Sequence, residues 1–319
     1  MNLLSIASGW NVSSLTSGRT LRPPLATLCE RPSSVSDRVD LNFPRGGRHG
    51  HGQAHPPTGH APALAPTPIP AGQYYDVTGD TSARQKYYGD TSRFDSMSPS
   101  QLYDDLSGLV QKTHKSLDYD PEQYLYPTVD RHEDGNIYCI YSGEGPKEAN
   151  APSGEHPLAD GQFNCEHVVP QSWFGKKKSP RGDLHHLYAA QKECNSLRGN
   201  AEFNDQVGQG EQMQLCGVLD QGHNQFNPKA GHGEAARSVL YFLLCYPGQI
   251  GDRKGEYTAE DIPMLLKWSN ENPPTEYEKH RNQYIEKLQG NRNPLVDFPQ
   301  LVNKVDFTKG LGQIRSGRG

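Results

Sequence analysis

NCEHVVPQSWF (164–174) and GDLHHLYAAQKECNSLRGN (182–200) bring together the side chains that decide this fold. The first string sets a carboxylate beside an imidazole, Glu166-His167, and the second adds the carboxamide of Asn195. Attack of water on a phosphodiester needs a base, a divalent-metal site and a cation for the phosphate. One Glu-His pair arises easily by chance, but two such clusters close together predict a metal-dependent hydrolytic site.

The local structure expected around the pair restricts how the two side chains are used. Neighbouring strand residues point to opposite faces, so Glu166 and His167 serve one site only where the strand ends, twists or bulges. Pro170 is consistent with a strand that ends. QKECNSL (191–197) predicts a short helix, which Gly199 terminates. Strand, loop and helix then place Asn195 across from Glu166.

The remaining elements predict an α+β fold, mainly helical, that carries this small strand-loop-helix insert. NIYCIYS (136–142) is rich in aromatic and branched residues and predicts a strand. Capping boxes and apolar faces predict most of the helices. The predicted helices are 98–117, 233–247, 258–268 and 275–290, of which the second is apolar nearly all round and should be buried.

Composition divides the 319 residues into three parts. Residues 1–72 are rich in Pro, Gly, Ser and His and predict a disordered tail and linker. Residues 73–305 form the expected catalytic domain, and 306–319 a flexible tail. No apolar run is long enough to span a membrane. The net charge of −5 means that any contact with nucleic acid is local, and Lys176, Lys177 and Lys178 are the candidates to face phosphate.

The six cysteines and the N-terminus leave the compartment open. An even number suits disulfides in an exported protein, but spacing does not assign the pairs. The N-terminus lacks the positive region of a secretory signal. Two rival interpretations are a catalytically inactive binding module and a zinc site. The zinc site would use the following soft ligands: Cys165, His167, His185, His186 and Cys194.

The two strings, together with FNPKAGHGEAARSVLYF (226–242) and residues 265–301, resemble the bacterial endonuclease I family. The resemblance implies a non-specific nuclease with a His-Me finger (ββα-metal) site, acting as a monomer on DNA, or also RNA, to leave 5′ phosphates. It implies that His167 is the general base and that Glu166 and Asn195 hold one divalent ion, Mg²⁺ or alternatively Mn²⁺ or Ca²⁺. It also implies a secreted or periplasmic location.

Other residues have less certain roles under this resemblance. Some members of the family place a phosphate-clamping arginine in a longer loop after the Glu-His strand; the loop is short here, so Arg181 is only a candidate for that role. Arg198 either touches phosphate or caps its helix. Asp183, His185 and His186 are expected to support the site, with at least one histidine in the core. The sequence departs from the family at Ala189-Ala190 and at His232-Gly233-Glu234, which bears on phosphate affinity and rate rather than on the base or the metal ligands.

Overall fold

The structure, a computed structural model, describes residues 74–146, 162–208 and 214–313. The predicted tail at 1–72 therefore lies outside the described residues. The α-helices are α1 Val77–Tyr88, α2 Arg93–Ser96, α3 Pro99–Thr113, α4 Pro121–Tyr124, α5 Lys178–Arg181, α6 Lys192–Arg198, α7 His232–Cys245, α8 Ile262–Glu271, α9 Glu276–Gln289 and α10 Pro294–Asp297. The strands are β1 Phe163–His167, β2 Leu187–Gln191, β3 Glu202–Phe203, β4 Gly217–Asp220 and β5 Gln225–Pro228. The predicted α+β class is confirmed.

The predicted capping boxes of two long helices are confirmed, whereas the helix predicted to begin at Thr258 begins at Ile262. The Ser98 hydroxyl accepts from the amide of Gln101 and forms a capping box with it at the start of α3. Thr275 and Glu278 form the same box at the start of α9, which ends at Gly290 with φ +83°. α7 is buried along almost its whole length, and α3 and α8 pack against it. This apolar helix is therefore the centre of the core.

The predicted strand at 136–142 is wrong. The amide of Cys139 donates to the carbonyl of Glu144 within a turn. The amide of Ile140 donates to the carbonyl of Ala189 at 3.1 Å. Ile137, Cys139 and Tyr141 are nonetheless buried. Their apolar alternation reflects packing on the core rather than a strand ladder.

Two small sheets flank the helical core. β1 and β2 form an antiparallel ribbon with Glu166 opposite Tyr188 and His167 opposite Leu187. In the second sheet β5 lies between β3 and β4, and it runs parallel to β3 and antiparallel to β4. A disulfide between Cys194 and Cys216 joins α6 to the start of β4. The helix that carries Asn195 is thus held by the ribbon and by this crosslink.

The chain beyond Val305 continues as packed structure. A 3-10 helix, Phe307–Gly310, follows, and its Phe307 is buried. The packed part therefore reaches past the predicted boundary of the catalytic domain. No helix in the described ranges has both the length and the apolar character needed to cross a bilayer.

Candidate active site

The β1–β2 ribbon and α6 bring three predicted residues to one cavity. β1 ends at His167, and α6 begins at Lys192, directly after β2. Glu166, His167 and Asn195 line a cavity of about 220 Å³. Because the strand ends at His167, the two adjacent side chains reach the same cavity, as the sequence requires.

Glu166 is a buried carboxylate with one engaged oxygen. Its Oε1 accepts from the hydroxyl of Tyr141 at 2.6 Å and from Nη1 of Arg198 at 2.8 Å. Neither of these two bonds involves its Oε2. Burial raises the pKa of Glu166, and the charge of Arg198 opposes that effect. One oxygen of a fixed carboxylate therefore remains to coordinate a cation.

Asn195 offers a second oxygen. Its Nδ2 donates to Oδ1 of Asn164 at 2.7 Å and to the carbonyl of Cys165 at 3.2 Å. A carbonyl only accepts, so these bonds fix which side of the amide carries the nitrogen. Within the described ranges Oδ1 of Asn195 makes no hydrogen bond. The carboxylate and the carboxamide thus supply two hard oxygen ligands to one cavity, a set that suits Mg²⁺.

His167 is held as a neutral imidazole with its Nδ1 available as a base. Its Nε2 lies 3.0 Å from the carbonyl of Arg181, which fixes the proton on that nitrogen. Nδ1 then carries the lone pair, 3.3 Å from Nε2 of Gln171. Burial, followed by the charge of His186, lowers the pKa of His167 to about 3. The ring is therefore uncharged at neutral pH, with a lone pair on Nδ1.

Arg181 is the candidate cation beside this base. Its guanidinium lies 4.6 Å from the ring centre of Tyr119, and that ring lies 5.3 Å from the ring of His167. The side chain is exposed and makes no ion pair with a described residue. Its main chain orients the base, a role that residue type does not reveal.

Arg198 has neither of its two predicted roles, since its guanidinium is available neither to phosphate nor as a helix cap. The guanidinium is buried, and donates to Glu166, to the carbonyl of His167 at 3.0 Å and to that of Val168 at 2.7 Å. It thereby fixes the Glu166 carboxylate and the end of β1. Its position near the end of α6 had suggested a helix cap, but its bonds go to β1 and the residue after it.

Asp183, His185 and His186 lie in the core around the site rather than in the cavity. Nε2 of His185 bonds to the carbonyl of Asn291 at 3.2 Å, and Nε2 of His186 to that of Pro180 at 2.5 Å. The His186 ring packs 5.5 Å from that of His167. Asp183 caps the 3-10 turn that contains both histidines. These three residues therefore hold the core that packs around His167.

Lys176, Lys177 and Lys178 are exposed in the segment between the two clusters. Nζ of Lys177 bonds to the side chain of Gln249. None of the three lines the cavity, so any contact with phosphate would lie outside it.

The zinc alternative loses one of its ligands. Cys194 is bonded to Cys216 and has no thiolate to offer. Among the described residues, a different group has ligand atoms within 4.8 Å of one another, namely His114, Asp183 and Cys245. Oδ2 of Asp183 already accepts from the hydroxyls of Tyr241 and Tyr246, both at 2.8 Å. These bonds account for the buried carboxylate without an ion.

Three partners of the site were not predicted from the sequence. Tyr141 binds Glu166, Gln171 faces the base, and Tyr119 stacks with Arg181. Gln171 lies four residues after His167 and offered a local signal. Tyr141 and Tyr119 come from distant segments, so only the tertiary fold brings them to the site.

Comparison with known proteins places the chain in a family. Residues 99–300 match the family described as Endonuclease I. An extracellular ribonuclease of Bacillus subtilis (strain 168) is 31% identical over 183 residues, which cover 53% of this chain and 61% of that protein. An extracellular deoxyribonuclease of Aeromonas hydrophila is 31% identical over 157 residues, covering 43% and 65%. A periplasmic deoxyribonuclease of the same organism is 30% identical over 158 residues, covering 43% and 63%.

The match thus spans less than two thirds of the length of each of these relatives. The family match covers both strands of the ribbon and α6, which carry the candidate base and the two candidate oxygen ligands. On the match over residues 99–300, the chain belongs to the Endonuclease I family.

Proposed function

We propose that the protein is a divalent-metal-dependent endonuclease that hydrolyses phosphodiester bonds with little sequence preference. The observation that carries the proposal is the convergence of three atoms on one cavity. These are Nδ1 of His167, whose described partner is the amide of Gln171 at 3.3 Å, Oε2 of Glu166 and Oδ1 of Asn195, neither of which takes part in the bonds that orient its side chain. The names of the relatives, ribonuclease and deoxyribonuclease, support DNA and RNA as candidate substrates.

The ligand set fits Mg²⁺, with Mn²⁺ or Ca²⁺ as alternatives. Glu166 and Asn195 would each give one oxygen, and Mg²⁺ keeps several waters when few protein ligands are offered. The bound ion would stabilise the charge that develops on the phosphate and on the leaving oxygen. The β1–β2 ribbon followed directly by α6 supports a ββα-metal, or His-Me finger, arrangement of these ligands.

In the proposed reaction His167 acts on the attacking water. Nδ1 takes a proton as the water oxygen bonds to phosphorus, while Nε2 keeps its own proton and donates it in a hydrogen bond to the carbonyl of Arg181. The bond from phosphorus to the 3′ oxygen breaks, and that oxygen takes a proton from solvent. The phosphate then remains on the 5′ end of the downstream product.

Arg181 is the proposed phosphate contact closest to the base. Its exposed guanidinium is stacked on Tyr119, one ring away from His167. Guanidinium binds phosphate oxygens bidentately and without regard to the base, which suits a nuclease of low sequence preference. Lys176 to Lys178 would extend this contact along the backbone. We propose that the protein acts as a monomer.

A plasmid assay tests the proposed activity. Supercoiled plasmid incubated with the full chain and Mg²⁺ should be nicked and then linearised, and EDTA should stop both steps. Labelled RNA, treated in parallel, gives the preference between the two nucleic acids. Intact plasmid and intact RNA in the presence of Mg²⁺, Mn²⁺ and Ca²⁺ would refute the enzyme and favour an inactive binding module.

The Cys194–Cys216 disulfide supports a proposed location outside the cytoplasm, as the names of the relatives do. It also yields a prediction, because it holds the helix that presents Asn195. Replacing both cysteines by serine should lower the free energy of unfolding by about 3 kcal/mol and weaken divalent-ion binding. Urea denaturation and calorimetric titration with Mn²⁺ measure the two effects.

Reduction of the wild-type protein by dithiothreitol provides the matched control. It should reproduce both changes, whereas the double variant should not respond to the reductant. If neither treatment weakens ion binding, the crosslink does not hold Asn195 in place.

A further inference from the structure

A second cavity, of about 340 Å³, lies beside β2, the second strand of the β1–β2 ribbon. We call that ribbon the catalytic ribbon, and the cavity lined by Glu166, His167 and Asn195 the catalytic cavity. The second cavity shares no lining residue with the catalytic cavity. Tyr188 of β2 lines it and pairs directly with Glu166 of β1. Paired strands lie about 4.8 Å apart, so the two cavities are close neighbours. We call it the aromatic cavity, after the rings of His132, Tyr138, Tyr188 and Tyr277 that line it.

The aromatic rings form a fixed wall. His132 stacks on Tyr277 with ring centres 3.9 Å apart and an angle of 15°, and Tyr138 meets His132 edge-on at 4.7 Å. The hydroxyl of Tyr277 donates to the buried Asp130 at 3.0 Å. Burial lowers the pKa of His132 to about 4, so its ring is neutral at pH 7. A neutral, immobilised aromatic wall suits a planar, uncharged ring as its ligand.

Glu234 places one carboxylate in this cavity. It lies in the first turn of α7. Gly231, with φ +75°, starts this helix, and a Cβ there would lie 2.2 Å from the carbonyl of Ile140. Only glycine therefore lets the start of α7 approach the segment that forms the opposite side of the cavity.

The carboxylate of Glu234 has no side-chain partner in the part of the chain that the structure describes; its own backbone amide is the donor that it has. It forms no ion pair there and receives no hydrogen bond from another residue's side chain. The nearby Arg237 is committed to Glu278 by two bonds of 2.7 and 2.6 Å. Burial, followed by the charge of Glu278, raises the pKa of Glu234 to about 7. A half-buried carboxylate without side-chain donors costs free energy, and a ligand with N–H groups would recover it and favour the ionised form.

The lining decides between ligand classes. No lysine or arginine of the described chain lines the cavity, so a phosphate would meet only a carboxylate and is excluded. Guanine is planar and presents two neighbouring N–H donors on its pairing edge, which match the two oxygens of one carboxylate. Adenine and cytosine place a ring acceptor beside their amine, and uracil places carbonyls on both sides of its N–H, so each would set a lone pair against Glu234.

We propose that the aromatic cavity binds an unpaired guanine base of the substrate, with Glu234 accepting from the pairing edge and the aromatic wall packing against the ring. The inference rests on the proposed nuclease function, because the substrate strand is what delivers the base. The pairing edge is occupied in a duplex, so the subsite acts on single-stranded DNA or RNA. Cleavage of single strands should therefore favour bonds near a guanine, whereas duplex cleavage should not.

Two measurements on the full chain test this subsite. The first is calorimetric titration in EDTA with guanosine and with adenosine, which needs no cleavage. Wild-type protein should prefer guanosine by about tenfold or more, as one good bidentate contact provides. Glu234→Gln should remove the preference, because its amide nitrogen faces a donor. Glu260→Gln, which changes an exposed carboxylate outside the cavity, should retain it. Unchanged thermal melting shows that both variants are folded.

The second measurement is the cut-site distribution on a random single-stranded RNA, sequenced after limited digestion. Guanine should be enriched next to cuts by wild-type protein and by Glu260→Gln, and not by Glu234→Gln. Plasmid nicking without guanosine binding or guanine enrichment would overturn the subsite and leave the nuclease standing. Guanosine binding without any cleavage would overturn the nuclease instead. Binding of tetramethylammonium in place of guanosine, lost in Glu234→Gln, would show a cation site and also overturn the proposal.

Discussion

Replacement of His167 by alanine should reduce the rate of plasmid nicking by about 10²- to 10⁴-fold, the usual contribution of a positioned general base. The variant loses the only imidazole that lines the catalytic cavity among the described residues. Glu166 and Asn195 keep the bonds that orient them, which involve Tyr141, Arg198 and the main chain of β1. Binding of Mn²⁺, measured by calorimetry, should therefore be unchanged while the maximal rate falls.

The control for this variant is His223→Ala. His223 is exposed on the turn before β5 and bonds only to the nearby Asp220. Its loss should alter neither rate nor ion binding. A His167→Ala enzyme that nicks plasmid at the wild-type rate would remove the histidine from the mechanism. One that loses Mn²⁺ binding as well would show that the imidazole is a metal ligand rather than a base.

Replacement of Arg198 by methionine should have the largest effect on stability. The guanidinium is buried and ion-paired with Glu166, and it also holds the carbonyls of His167 and Val168. Methionine fills a similar volume but leaves a buried carboxylate without its cation. Removing one member of a buried ion pair costs about 3–5 kcal/mol, which urea denaturation measures. Affinity for Mn²⁺ should fall at the same time, because Glu166 loses a bond that orients it.

Arg237→Met separates the two consequences. Arg237 is buried and paired with Glu278, far along the chain from the catalytic ribbon, and its loss should destabilise the protein to a similar extent. Its affinity for Mn²⁺, measured well below the urea transition, should remain that of the wild type. If Arg198→Met binds Mn²⁺ as tightly as Arg237→Met does, Arg198 supports the fold without positioning the metal ligand.

The parts of the fold that the sequence predicts are those that short-range chemistry determines. The capping boxes at Ser98 and Thr275 and the terminating Gly290 fixed helix ends, because each motif satisfies its own backbone groups. The strand at 136–142 was predicted wrongly and β2 was missed. Alternating apolar residues indicate burial, but a strand also needs a neighbouring strand to pair with. β1 pairs with residues 187–191 and not with residues 136–142.

The residues of the catalytic cavity likewise fall into those that the sequence predicts and those that it does not. Glu166, His167 and Asn195 were recognisable because their residue types suit metal binding and base catalysis, and the strand end that they require is present. The buried position of Arg198, the bond from Tyr141 and the Cys194–Cys216 pairing depend on contacts between distant segments. The periodicity and spacing of residues in the sequence do not predict such contacts.

The bond from His167 to the main chain of Arg181 has a consequence for how such a site evolves. A carbonyl oxygen is the same for every residue, so the imidazole keeps its tautomer whatever side chain stands at position 181. Under the proposed roles, substrate affinity and proton transfer therefore depend on different parts of one residue, the first on its side chain and the second on its backbone. Descendants of this chain, or a designer, are able to retune affinity at position 181 without rebuilding the base.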